Sequence, residues 1–170
     1  VYEKVPAEQA EGKAKVTVKW CGVNKGDAQR LVGRELRKWD PFMSGTFAAT
    51  PPTESLRFML SSIMTRGKQR DEDPVMGVLD VSRAHFHPES VREVYIDLPE
   101  EDASPGMVGK LKRTIYGTRD AAAQWEAFYG KVFEDLKFAV GPFCPCLMWH
   151  ERRGIAVWVR GDDMLLLGKK

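Results

Sequence analysis

The stretch that most constrains this chain is Ile155-Ala-Val-Trp-Val-Arg-Gly-Asp-Asp-Met-Leu-Leu-Leu-Gly168, two apolar runs separated only by Gly161, Asp162 and Asp163. Ile155, Val157 and Val159 alternate with Ala156, Trp158 and Arg160, the period-two pattern of a strand rich in β-branched residues. Met164 to Leu167 is a second run of strand length, so the pair predicts a hairpin in which Gly161 supplies the backbone freedom of a tight turn. Acidic turns are common, and an ordinary turn accounts for the local pattern. Here, however, the carboxylates run straight into four apolar residues. A turn anchored on such a scaffold aims its oxygens at one place, which suits a hard divalent cation.

A two-metal phosphoryl-transfer centre needs a further carboxylate from another strand end. Pro74-Val-Met-Gly-Val-Leu-Asp80 is an apolar run that stops at a single acid. The plain alternative is a strand-terminal Asp that caps the next turn.

Elsewhere the pattern predicts a mixture of strands and helices. Lys15 to Trp20 alternates like a strand, Asn24 to Asp27 is a turn signal, and Arg30 to Leu36 resumes the apolar pattern. Thr53 to Arg66 opens with a capping residue and an early acid, and Leu56, Met59, Leu60, Ile63 and Met64 form one helical stripe. Val94, Ile96 and Leu98 alternate as a strand, and Pro99 to Gly106 is a solvated acidic loop. Asp120 to Leu136 carries Ala121, Trp125, Phe128, Tyr129, Val132, Phe133 and Leu136 at helical spacing. Cys146 to His150 forms a hairpin with Ile155 onward around Glu151 to Gly154. The fold class expected is α+β, a central antiparallel sheet backed by two helices with a smaller N-terminal strand pair.

With 170 residues the chain is long enough for a substantial core, and at 43% hydrophobic and 29% charged it has the make-up of a globular protein. No apolar run approaches a membrane span, and no signal peptide is evident, which points away from a membrane partner and from secretion. The net charge of +2 is too mild to demand nucleic acid by itself. Basic residues nevertheless cluster at Lys13, Lys15, Lys19 and Lys25, at Arg30, Arg34, Arg37 and Lys38, and at Lys110, Lys112 and Arg113. Each group taken singly reads as a solvated face; three around a carboxylate site suit a phosphate backbone. Three cysteines argue against a disulfide framework, and Cys144-Pro-Cys146 with His150 lacks a fourth zinc ligand. The Arg160-Gly-Asp162 tripeptide is an accidental match to an adhesion motif.

Three blocks together carry a family resemblance: Asp80-Val-Ser-Arg-Ala-His-Phe-His, then Lys110-Leu-Lys-Arg-Thr-Ile-Tyr-Gly-Thr-Arg-Asp-Ala-Ala-Ala-Gln-Trp125, then Gly161-Asp-Asp-Met-Leu-Leu-Leu-Gly168. In order and spacing they resemble successive motifs of copia-type retrotransposon reverse transcriptases, over nearly the whole chain. Gly-Asp-Asp alone is shared with viral RNA polymerases; the Tyr-Gly block with Gln-Trp downstream is far more specific.

The resemblance implies a reverse-transcriptase palm over about residues 51–170 and a portion of the fingers over about 1–50. It implies RNA-directed DNA synthesis with two Mg²⁺ ions, or Mn²⁺ in their place, held by Asp80 and Asp162 with Val81 in the set and Asp163 as accessory acid. Arg30 or Arg34, and the backbone around Arg83 and Ala84, are expected at the nucleotide triphosphate. His85 stands where relatives carry an aromatic gate against ribonucleotides, and Tyr116 and Gly117 lie along the nascent base pair. Lys110, Lys112, Arg119 and Arg160 are the expected nucleic-acid contacts. Template-primer, deoxynucleoside triphosphate and the remaining polyprotein, with its thumb, ribonuclease H and integrase, are the partners implied. The implied setting is a cytoplasmic retrotransposon particle, or the nucleus. The chain departs from relatives in a shortened loop before Arg30, in Ala122 for a common Pro, and in Arg160 and Gly161 for an aromatic and an aliphatic residue. A second expectation therefore stands beside the polymerase: a remnant that folds and binds nucleic acid without catalysis. The chain also begins without an initiator Met, which reads as a piece of a longer polyprotein.

Overall fold

Among the described residues, ten strands and two α-helices follow the order β1 (Tyr2–Pro6), β2 (Ala14–Gly22), β3 (Gln29–Arg34), α1 (Thr53–Arg70), β4 (Pro74–Asp80), β5 (Val94–Ile96), β6 (Met107–Leu111), α2 (Ala121–Asp135), β7 (Ala139–Gly141), β8 (Cys144–His150), β9 (Ile155–Arg160) and β10 (Asp163–Lys169). The computed structural model describes all residues except 23–28, 37–41, 71–72 and 170, and leaves the side chains of 22, 29, 30 and 66–70 undescribed. The turn expected at Asn24 to Asp27, Lys25, Arg37, Lys38 and the side chain of Arg30 therefore lie outside the described residues. The architecture is mixed α+β with two five-stranded sheets. The chain divides into two compact units, each discontinuous: Val1–Phe47 with His85–Trp125, and Ala48–Ala84 with Glu126–Lys170.

In the first unit the sheet order is β1-β6-β5-β2-β3. Its core is Val16, Leu31, Val94, Ile96, Leu111 and Ile115, flanked by Tyr2, Val18 and Phe86. A second cluster gathers Val5, Ala10, Tyr95 and Val108. β5 is buried along its whole length, with Tyr95 as enclosed as its neighbours, so the alternation expected over Val94 to Leu98 is not realised. The reason is that both faces of β5 are covered, Val94 and Ile96 entering the first cluster and Tyr95 the second. The acidic segment after it is a short 3-10 turn at Glu100–Asp102, and two of its carboxylates, those of Glu101 and Asp102, are engaged. Tyr2 donates to Asp102 at 2.8 Å, and Trp20 Nε1 donates to Glu101 at 3.0 Å.

In the second unit the order is β4-β10-β9-β8-β7, antiparallel throughout. The Arg160–Asp163 pairing closes the β9–β10 hairpin with a two-residue loop. Gly161 has φ +64 while Asp162 does not take positive φ, the II′ arrangement that a Gly-X pair favours. α1 covers one face of this sheet, packing Met59 against Ala156, Trp158 and Leu167, with Leu56, Leu60 and Ile63 beside them. Trp158 also donates its indole N–H to Ser55 Oγ at 2.9 Å. Met64, placed on the same stripe by periodicity, is 56% exposed, because helical spacing carries it off the edge of the contact.

β4 is formed over the residues its sequence marks, yet every one of them is exposed. It is the edge of the sheet, and Val75, Met76, Val78 and Leu79 face solvent. A continuous apolar run normally signals burial on both faces. Here that inference fails because one strand neighbour is β10 and the other side is open among the described residues.

The cysteines differ in accessibility. Cys146 is buried, whereas Cys21 and Cys144 are half-buried. Burial first, then the neighbouring Cys144 and Glu126, push the Cys146 thiol up to about 11, and its S–H donates to Ala49 O at 3.4 Å. At pH 8 its thiolate fraction is about a hundredfold below that of an ordinary thiol. Iodoacetamide mapped by mass spectrometry is expected to modify Cys146 at least tenfold more slowly than Cys21 or Cys144, a roughly tenfold margin allowing for local opening. Equal rates would show that the strand carrying it does not protect it.

Candidate functional site

Asp80 and the consecutive Asp162 and Asp163, far from it in sequence, lie at one end of the second unit's sheet. Asp163 is the direct cross-strand partner of Asp80. The adjoining turn is tied to the same strand end, because Val81 donates its backbone N–H to the carbonyl of Asp162 at 3.0 Å. Direct partners in an antiparallel pair share a face, with Cβ atoms about 4.5–5.5 Å apart. Asp80 and Asp163 are exposed and Asp162 is half-buried. Like charges directly opposite each other are destabilising by about 0.2–1 kcal/mol, so packing alone gives no reason for this pair.

The donor chemistry suits Mg²⁺, since all side-chain ligands are carboxylate oxygens within reach of water. Among the described residues no group of three or more His, Cys, Asp or Glu side chains stands ready to hold a metal ion. The acids fit in type, access and backbone placement, and their solvent-facing side chains must turn inward to share an ion. Exposed rotamers interchange on the ps–ns scale, so that step is cheap. The row continues to Arg160, the partner of Asp163 on its other side. At the opposite end of the same strands, a groove of about 560 Å³ is lined by Phe58, Met59, Ile63, Leu147, Trp149 and Leu167.

Beyond β4, Arg83 takes a positive φ of 56 and is exposed, while Ala84 is fully buried. A left-handed conformation at a non-glycine residue costs about 1–3 kcal/mol, and turns of this kind are one way a backbone forms anion-binding concavities.

In the first unit the remaining candidates surround β3. Gly33 donates its N–H to Tyr116 O at 2.7 Å, and Glu35 donates to Gly117 O at 3.3 Å, so Tyr116-Gly117 runs along the strand that carries Arg34. Arg34 is exposed, and His85 meets Tyr116 edge-on with ring centroids 4.4 Å apart. Thr114 Oγ1 donates to the carbonyl of His85, fixing that segment. Gly117 has φ +85, and a Cβ there would lie 2.0 Å from Gly33 O. Its missing side chain is thus demanded by the protein's own backbone.

Two of the expected nucleic-acid contacts are already paired. Lys110 binds Glu93 at 2.8 Å, and Lys112 binds Glu3 at 2.5 Å. Lys13 joins Lys110 on Glu93, and these two lysines hold its carboxyl down to about 2, Lys110 contributing most. Such exposed pairs are weak and are readily exchanged for phosphate.

Sequence reasoning missed one buried network. Arg92 forks between Glu35, at 2.9 and 2.7 Å, and Asp120, at 3.0 and 2.8 Å. Partial burial opposes its charge, but the bonds to Asp120 and Glu35 outweigh that and hold the guanidinium above its usual range. Glu35 also accepts the backbone N–H of Arg119 at 2.9 Å, so the network pins the loop from Tyr116 to Asp120. No local signal marks it, because its members belong to three separate stretches.

No protein-family model matches the chain. It is 27% identical over 178 residues to the retrovirus-related Pol polyprotein from transposon TNT 1-94 of Nicotiana tabacum, an alignment covering 95% of this chain. The chain spans 13% of that polyprotein's length. This similarity, running through nearly every element described above, supports an origin in the Pol polyprotein of a retrotransposon.

Proposed function

We propose that the chain is the part of a Pol polyprotein that carries a reverse-transcriptase nucleotidyl-transfer centre, with about residues 51–170 as palm and about 1–50, β2 and β3 among them, as a portion of the fingers. The observation that supports this reading most is the Asp80–Asp163 register with the Asp162 turn bonded to Val81. Asp80 and Asp162 would hold Mg²⁺, with Val81 in the set, and Asp163 would add negative charge beside them. When bound, Mg²⁺ lowers the pKa of the attacking hydroxyl and neutralises charge on the departing phosphates. The primer 3′-hydroxyl oxygen bonds to the α-phosphorus of a deoxynucleoside triphosphate as its proton passes to water, the bond from the α-phosphorus to the oxygen bridging it to the β-phosphate breaks, and pyrophosphate leaves with that oxygen. Arg34, Arg30 and the Arg83–Ala84 backbone receive the triphosphate. His85 stands at the sugar, and Tyr116 and Gly117 support the base pair. Lys110, Lys112, Arg119 and Arg160 meet template-primer phosphates, the two lysines by leaving their glutamates.

The second reading, a non-catalytic remnant that binds nucleic acid, draws support from the lack of a formed three-ligand group among the described residues. Primer extension on a homopolymer template separates the two. Extension that requires Mg²⁺ and falls at least about tenfold in Asp162→Asn is expected, since each factor of ten is about 1.4 kcal/mol of transition-state stabilisation. Equal signals from wild type and variant would leave only the remnant.

A further inference from the structure

The acidic edge is not purely acidic. Arg160 on β9, Asp163 on β10 and Asp80 on β4 are successive cross-strand partners, so one row across three strands reads cation, anion, anion. Direct partners share a face, and this is the face on which Trp158 and Leu167 lie beneath α1. Trp158 is tied to Ser55, which holds β9 on that face two residues before Arg160. The II′ turn fixes the spacing of Arg160 and Asp163, so neither can drift from the other without breaking the hairpin. No ion pair within bonding distance joins Arg160 to an acid among the described residues, and the side chain is exposed. The backbone register sets Arg160 one strand from Asp163 and two strands from Asp80.

We propose that Arg160 is a resident counter-charge that sets how strongly the Asp80–Asp162–Asp163 edge takes a divalent cation. It offsets part of the Asp80–Asp163 repulsion when no ion is bound and competes with any ion that arrives. This inference rests on the acids being a cation site, as the proposed function holds. A unit charge one strand away, in water-exposed surroundings, changes divalent-ion affinity by roughly three- to tenfold. One strand spacing, about 4.8 Å, is shorter than the Debye length of about 8 Å at physiological salt, so the effect at Asp163 persists there.

The test is Mn²⁺ binding, followed by isothermal titration calorimetry and by loss of the free-ion electron paramagnetic resonance signal, in wild type, Arg160→Gln, Arg160→Lys and Asp80→Asn. Arg160→Gln is expected to bind roughly three- to tenfold more tightly than wild type, and Arg160→Lys, which keeps the charge, within about twofold of it. Asp80→Asn is expected to lose the site. Equal affinity in wild type and Arg160→Gln, with loss in Asp80→Asn, would overturn the role of Arg160 and leave the cation site standing. If no protein binds Mn²⁺ more tightly than Asp80→Asn, the cation site itself fails, and this inference fails with it.

Discussion

Gly117→Ala is expected to destabilise the protein by about 3–5 kcal/mol, enough to shift the folding equilibrium by two to three orders of magnitude. The added Cβ would meet Gly33 O at 2.0 Å and Val32 Cγ1 at 2.9 Å. The nearest atom is backbone, so no side chain can swing aside to make room. The residue also sits at φ +85, where an L side chain is strained by about 1–2 kcal/mol. Relief requires the Tyr116-Gly117 segment to lift from β3, which breaks the bonds Gly33 N–H to Tyr116 O and Glu35 N–H to Gly117 O. Urea unfolding followed by circular dichroism measures the loss. A variant as stable as wild type would mean that this segment does not lie on β3 in solution.

Arg92→Met should cost a comparable amount, about 3–5 kcal/mol, by a different route. The side chains of Glu35 and Asp120 are only 8% and 7% exposed, and Arg92 is the cation that both share. Removing one partner of a buried ion network leaves uncompensated charge, the case in which buried ion pairs matter most. Arg92→Lys is expected to fall between, because an ammonium cannot fork to two carboxylates. The triple change Arg92→Met, Glu35→Gln and Asp120→Asn should recover most of the loss. If Arg92→Met alone unfolds at the wild-type urea concentration, the network is peripheral and does not pin the Arg119 loop.

The parts of the fold legible in the sequence are those stabilised locally. The hairpin around Gly161 announces itself by alternation and turn chemistry, β4 by an apolar run ended by an acid, and α1 and α2 by stripes of apolar residues. β1 and β6 are illegible for a physical reason: neither has a pattern of its own, and each is a strand because Tyr2 pairs with Leu111 and Val5 with Val108. The same limit governs the charges. Lys110 and Lys112 look like free cations along the chain, and only the folded sheet brings Glu93 and Glu3 to them. Of the candidate site, the Asp80 strand end and the Gly-Asp-Asp turn are each legible locally, whereas their meeting is implied by the family resemblance and depends on the long-range β4–β10 register. The Arg92 fork could not, and neither could the true neighbour of Gly117, which is strand β3.

The way the two units share the polypeptide has a practical consequence for anyone trimming it. The backbone passes from one unit to the other three times, at residues 47/48, 84/85 and 125/126. A piece ending before residue 85 keeps β1, β2 and β3 but lacks β6 and β5, the two strands that stand between β1 and β2. A piece starting at residue 85 keeps the Gly-Asp-Asp hairpin yet discards α1 and β4, and Asp80 with them. Neither a piece ending before residue 85 nor one starting there contains all the strands of either sheet, so an expression boundary placed within this stretch separates strands that pair with each other.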